Sequence, residues 1–259
     1  QRQMCIRDRE RVYMKKYTGF TLAEVLITLG IIGVVSALTI PALIGKYKEK
    51  QRVTQVKKVY SVLSQAFNMA KNEYGSPENW AISTTVTGET DEEDYSKSST
   101  LVRDIFAKYI KNTSNKKHTF RKYVSLDGRN FSTSGNSSIG GNNSALYLAD
   151  GTMISFGWMT EGCKNEAVEC GDIFVFLPEK DAQLGVSEFN FYISPKGIMP
   201  YGHSKHFIRS FEKYCDITNK NGIASNDQGR SCTAWVLYNE NMDYLHCSDL
   251  SWDGKHSCK

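Results

Sequence analysis

The sequence predicts an α+β protein in which one long N-terminal helix packs on the antiparallel β-sheet of a globular head. Three observations carry that reading. An apolar run free of Lys, Arg and Asp extends from Phe20 to Ile44, apolar residues recur at helical spacing from Lys46 to Tyr74, and a series of short strand-like segments follows, punctuated by turn residues.

The apolar run is twenty-five residues long. At roughly 1.5 Å per residue it exceeds a hydrocarbon core of about 30 Å, so residues 20–44 read as a membrane span. Its single charge, Glu24, costs roughly 2.5–3.5 kcal/mol inside lipid and therefore asks for a cationic partner. The plainer alternative is a carboxylate reaching back to the head groups. Gly30 and Gly33 permit close helix approach, although their spacing makes no G-x-x-x-G face. Pro41 lacks an N–H and predicts a kinked or locally melted helix over residues 37–41.

Beyond the span, residues 45–74 continue the helix in amphipathic form, with Val53, Val56, Tyr60, Leu63, Phe67, Ala70 and Tyr74 spaced by three and four. Gly75 supplies a C-cap and Pro77 prevents resumption. A single bent rod of about 80 Å follows from helical rise alone.

What precedes the apolar run is as informative as the run itself. Met14-Lys15-Lys16-Tyr17-Thr18-Gly19 followed by Phe20-Thr21-Leu22-Ala23-Glu24 closely resembles the class III signal of type IV pilins and type II secretion pseudopilins. The resemblance covers residues 14–74 and rests on a short basic leader, Gly before the cut, an aromatic after it, and Glu at the fifth mature position. It implies that prepilin peptidase cuts between Gly19 and Phe20 and methylates the new amino terminus of Phe20. It also implies that Glu24 neutralises the terminal amine of a neighbouring subunit on entry into a filament, and that Pro41 lies where the family breaks its helix. An ordinary secretory signal loses its apolar region on cleavage; a cut after Gly19 leaves the anchor in place, with residues 14–19 as the leader.

Residues 1–13 stand apart. Met4-Cys5-Ile6-Arg7-Asp8-Arg9 resembles, in one reading frame, the translation of a transposase adaptor from sequencing libraries, so the segment is expected to be foreign, with Met14 as the start.

The net charge of +4 suggests nucleic acid only until its distribution is read. Residues 1–19 hold six bases and two acids, which leaves the remainder formally balanced. Within it, Lys46, Lys48, Lys50, Arg52, Lys57, Lys58 and Lys71 outweigh Glu49 and Glu73, while residues 75–259 are acidic overall. A basic stalk meets an acidic head, and no nucleic-acid partner is expected. Lysines just outside the membrane oppose the positive-inside rule. The head is nevertheless placed extracytoplasmically, because the peptidase of the resembled family acts inside and the downstream cysteines suit an oxidising compartment.

Of seven cysteines, Cys5 lies in the suspect segment, leaving Cys163, Cys170, Cys215, Cys232, Cys247 and Cys258. Six cysteines allow fifteen pairings. Sequence neighbours suggest Cys163 with Cys170, Cys215 with Cys232 and Cys247 with Cys258, each closing a surface loop. The competing reading, a metal site with His203, His206, His246 or His256, lacks any C-x-x-C pair.

The head, residues 75–259, is expected to open with a loop at 83–100 carrying Asp91-Glu92-Glu93-Asp94, then a helix at 101–111 broken at 112–117. Strands are expected at 119–126, 145–148, 152–158, 173–177, 188–194 and 234–238, with turns at Asp150-Gly151 and Pro195-Lys196-Gly197 and a flexible Asn/Ser-rich loop at 131–144. The segments LADGTMISFGW, EFNFYISPKGIMPYG and TAWVLYNENMDYL also resemble the heads of pilin-like proteins of type II secretion.

No catalytic motif of the G-x-S-x-G, H-E-x-x-H or phosphate-loop type occurs, and no enzyme is expected. Asp172, Asp181 and Glu188 are the candidate calcium ligands, but without EF-hand-like spacing they read better as solvated loop acids. His203-x-x-His206 reads better as exposed loop than as metal ligands. Trp158, Tyr192, Tyr201, Trp235 and Trp252 read as core rather than as a sugar- or base-stacking surface. The resemblance therefore implies a structural subunit of a pseudopilus or pilus, stored in the inner membrane and extracted by an assembly platform and ATPase, its partners being other pilin subunits. The alternative is a minor or competence pilin whose head binds DNA or a surface.

Overall fold

The computed structural model describes residues 19–80, 92–113, 119–132, 144–159, 170–203 and 209–258. It divides into two units, Gln1–Lys46 and Tyr47–Lys259, joined by one continuous helix, α1 (Leu22–Tyr74).

In the first unit, α1 runs unbroken through Pro41. The expected melted turn at 37–41 is absent: the proline removes one N–H···O bond at a cost of about 3 kcal/mol, and the intact turns on either side hold the helix. The large apolar side chains here are exposed, from Leu22 and Leu26 through Ile31, Ile32 and Val35 to Leu43 and Ile44.

In the second unit, α1 buries Val53, Val56, Val59, Leu63, Ala66, Phe67 and Ala70, so the expected stripe is present and widened by Val59 and Ala66, while Tyr60 and Tyr74 flank it. The helix ends where Gly75 takes φ +81° and donates its N–H to Lys71 O at 2.9 Å. A single turn at Pro77–Asn79 then sets Trp80 between Phe67 and Phe106.

Helix α2 (Glu92–Ala107) corrects the expected loop over residues 92–100 and the expected start at Leu101, while residues 83–91 of that loop lie outside the described residues. Val102, Ile105 and Phe106 are buried, whereas Leu101 is exposed.

The sheet under these helices is antiparallel with order β3-β4-β5-β7-β8, where β3 is Ala145–Tyr147, β4 Met153–Met159, β5 Gly171–Phe176, β7 Glu188–Ser194 and β8 Gly197–Pro200. Alternation sends Ile173, Val175, Phe189, Phe191 and Ile193 toward the helices; Tyr60 stacks on Phe191 at 5.9 Å and Phe106 meets Phe156 at 5.0 Å. The other face carries Tyr147, Met153, Phe174 and Phe176 in a second cluster with Phe120 and Tyr123. Both faces are covered, so β5 reads as a nearly continuous apolar run after Asp172, while β7 alternates Phe189, Phe191 and Ile193 with Glu188, Asn190 and Ser194 yet buries both sets. A small sheet of β1 (Tyr123–Val124), β2 (Asn130–Phe131) and β6 (Ala182–Gln183) adjoins, with β1 and β6 parallel.

Two further expectations are corrected. Residues 234–238 are not a strand: Thr233–Asn239 is a helix, α4, following the short α3 (Phe211–Tyr214). Its apolar run is too brief to distinguish strand from helix by period, and packing decides, because Trp235 stacks on Phe211 at 4.2 Å and Val236 is also buried. The expected strand at 119–126 shrinks to Tyr123–Val124. The turn after Ser194 is tighter than expected, so Gly197 already pairs with Ser194 and opens β8.

Candidate assembly site

The signal residues occupy the non-helical start of the described chain. Gly19 and Phe20 precede α1 and are exposed, Phe20 at 88%, and a Cβ built on Gly19 meets nothing within 4 Å. The Gly19–Phe20 bond therefore lies in backbone that a peptidase can hold extended.

Immediately after it, Thr21 and Glu24 form a reciprocal capping box. Thr21 N–H donates to Glu24 Oε2 at 2.8 Å, Glu24 N–H donates to Thr21 Oγ1 at 3.2 Å, and Thr21 Oγ1 donates to the same Oε2 at 2.9 Å. The Thr-x-x-Glu spacing ahead of an apolar run was available in the sequence, and Thr21 is the residue that reading Glu24 alone overlooks. Behind this cap the helix turns an uninterrupted apolar surface outward, with none of its most apolar window buried. A core helix of a soluble protein would bury such a stripe; this one offers it to lipid or to other helices.

In the second unit the basic residues of α1 find acids. Arg52 grips Glu179 through Nε and Nη2 at 2.7 and 2.9 Å, Lys57 meets Glu240 at 2.5 Å, Lys58 meets Asp150 at 2.8 Å, and Glu49 meets His246 at 2.9 Å. The first is bidentate and partly buried, and so the best placed of them to matter; exposed pairs are worth about 0–1 kcal/mol.

The sequence of the chain matches two family models. One, a family of unknown function, DUF6613, matches residues 42–248. The chain belongs to this family. The other, the prokaryotic N-terminal methylation motif, matches residues 14–40 and thus covers Gly19, Phe20 and Glu24. This DUF6613 protein carries the class III signal of pilin-type proteins. The motif implies processing by prepilin peptidase and fits a membrane-anchored chain. No curated protein and no solved structure matches it.

The remaining candidates scatter across the DUF6613 head. Cys215–Cys232 and Cys247–Cys258 are disulfides. Cys170 is also disulfide-bonded, and Cys163 lies outside the described residues. The three candidate calcium ligands are not brought together, nor are they all loop acids. Asp172 and Glu188 are buried on β5 and β7, Asp172 accepting from Tyr201 Oη at 2.5 Å, and Asp181 is forked by Arg121 at 2.9 and 3.1 Å. Among the described residues no three His, Cys, Asp or Glu gather to hold a metal. His203 sits against the rings of Tyr238 and Trp252, while His206 is outside the described residues. Tyr192, Tyr201 and Trp235 are buried, as core aromatics are.

The buried carboxyl of Glu188 is the group that the sequence misplaced most. Burial pushes it up to about 7 against the counteracting charge of Arg230, and its Oε2 has no hydrogen-bond partner among the described residues.

Proposed function

We propose that this protein is a non-enzymatic structural subunit of a type II secretion pseudopilus or a type IV pilus. The observation that carries the reading is the Gly19-Phe20 junction with Glu24 in the first turn of an exposed apolar helix, inside the matched methylation motif. Prepilin peptidase removes the leader up to Gly19 and methylates Phe20. The protein is then held in the inner membrane by residues 20–44, with its head extracytoplasmic, until an assembly platform and ATPase extract it.

In the filament the apolar helices bundle, and van der Waals packing of small and branched side chains replaces contact with lipid. Glu24 meets the amine of Phe20 of an adjoining protomer, which relieves the cost of an acid in lipid. Pro41 serves packing of the bundle, and the disulfides harden the head outside the cytoplasm.

Mass spectrometry of the native protein tests this directly. The expected amino terminus is N-methylated Phe20; Gly19→Val accumulates as precursor, and Glu24→Val is processed and inserted but left out of filaments. Normal assembly of the uncut Gly19→Val protein would overturn the reading.

A further inference from the structure

The face of β7 opposite Phe189, Phe191 and Ile193 carries two polar side chains in succession. Glu188 and Asn190 stand two residues apart on the strand, so both project to the same side of the sheet, and each is only 1% exposed. Glu188 Oε2 and both polar atoms of the Asn190 amide, Oδ1 and Nδ2, have no hydrogen-bond partner among the described residues. Their cross-strand neighbours on β5 are Phe176 and Phe174, whose rings offer none. Arg230 lies over the Phe174 ring, its guanidinium carbon 5.6 Å from the centroid, and its charge is felt at Glu188. Its Nε, however, donates to Asn226 O at 2.9 Å and faces Asp227 at 3.2 Å.

We propose that one bound water molecule sits between Glu188 Oε2 and the side-chain amide of Asn190. A buried polar group without a partner has given up its hydration for nothing, and three such atoms at neighbouring positions share one remedy. Chemistry selects the ligand. Nδ2 only donates, Oδ1 only accepts, and a carboxyl oxygen accepts when ionised and can donate when neutral. A cation is repelled by Nδ2 and by the charge of Arg230; an anion is repelled by Oδ1 and by the carboxylate. A neutral molecule that both donates and accepts satisfies all three atoms. Spacing sets its size. Same-face residues on a strand are about 6.8 Å apart at roughly 3.4 Å of rise each. That exceeds a direct hydrogen bond and approaches the roughly 5.8 Å that two bonds of about 2.9 Å span through a single oxygen. About three polar partners is also what a buried water takes.

The test uses the full chain in detergent with its asparagines labelled with nitrogen-15. Water-selective NOE and ROE spectra report which amide protons lie against a long-lived water, and Asn190→Leu assigns the side-chain signal by its disappearance. The wild type should show cross-peaks between the Asn190 side-chain amide protons and water, with the signs of dipolar contact. Glu188→Gln, which keeps a polar end at the same place, should retain them. Glu188→Leu, which removes one of the two anchors, should lose them. Absence of the cross-peaks from the wild type, or cross-peaks whose ROE has the sign of proton exchange, overturns the proposal. Cross-peaks at full strength in Glu188→Leu overturn it as well, because the water would then not be held by Glu188. If Glu188→Leu does not fold, the wild type and Glu188→Gln decide between the same outcomes.

Discussion

Glu188→Gln should turn a pH-dependent penalty into a constant one. Glu188 is 1% exposed on β7, opposite Phe176, and its Oε2 accepts no hydrogen bond among the described residues. Burial raises its carboxyl from 4.5 to about 7, with Arg230 only partly countering. Between those two values the native protein keeps the proton that the unfolded chain has released, so the native state binds more protons and stability falls as pH rises. Below about 4.5 both states are protonated and nothing is lost; above about 7 the loss is complete. At 1.36 kcal/mol per pKa unit the full loss is about 3 kcal/mol. Glutamine keeps the shape and removes the titration. Its own buried amide adds a cost of roughly 1–3 kcal/mol, but that cost does not vary with pH. The informative quantity is therefore the difference in Tm between variant and wild type, followed by circular dichroism on the detergent-solubilised chain. For a domain of this size about 2–4 °C accompanies each kcal/mol, so the difference should move by roughly 6–12 °C in favour of Glu188→Gln between pH 4.5 and pH 8. Every other titrating group is common to both proteins and cancels. A difference that stays flat across that range would refute the argument that Glu188 is a buried acid only partly compensated by Arg230.

Gly202 has φ +93°, and a Cβ there would fall 1.8 Å from Ser231 O, a backbone atom. Gly202→Ala should cost roughly 2–5 kcal/mol in denaturant unfolding, combining left-handed backbone strain with overpacking. Gly222, at φ +63° with nothing within 4 Å, should show only the smaller backbone cost of about 1–2 kcal/mol on the same change. Removing the Cys215–Cys232 bridge by double alanine substitution frees a loop of sequence separation 17, which costs about 3 kcal/mol of unfolded-state restraint, plus the cavity left by two buried sulfurs. Thermal unfolding should fall by about 10 °C, and non-reducing peptide mapping of the parent should recover the linked pair.

Much of this fold was legible because its strongest signals are local. The 3.6 period of α1, the Gly75 cap and the hairpin at Asp150-Gly151 each follow from residues within a few positions of one another. Strand β7 was placed without error at Glu188–Ser194, and β3 to β5 within two residues at either end. What escaped depends on distant partners. The segment around Trp235 carries aromatic and β-branched residues that suit a strand, yet stacking on Phe211 and a hydrogen bond from Asn190 N–H to Thr233 Oγ1 fix it as helix. Glu188 and Asp172 looked like loop acids because charged residues are seldom buried, and only the closure of the second sheet face over β5 and β7 puts them inside. The methylation motif was legible in its chemistry, and the geometry of the candidate site was read incompletely, since Thr21 was passed over in favour of the rarer charge beside it.

That omission changes how Glu24 is understood. On the assembly role proposed above, Glu24 has two competing duties, capping its own helix and neutralising the amine of a neighbour. The geometry separates them. Both bonds from Thr21 fall on Oε2, while Oε1 takes none among the described residues. An ionised carboxylate offers about four acceptor positions, so the cap leaves an entire oxygen for an incoming ammonium. The cap does more than coexist with that contact, because two bonds to Thr21 hold the carboxylate in one orientation before any partner arrives and so reduce the side-chain entropy that its capture would otherwise cost. The helix N-terminus, positive by its own dipole, is also where a lone acid in an apolar segment is least expensive to keep. On the proposed reading, position, cap and free oxygen together make Glu24 tolerable before assembly and leave it receptive to a neighbour's amine.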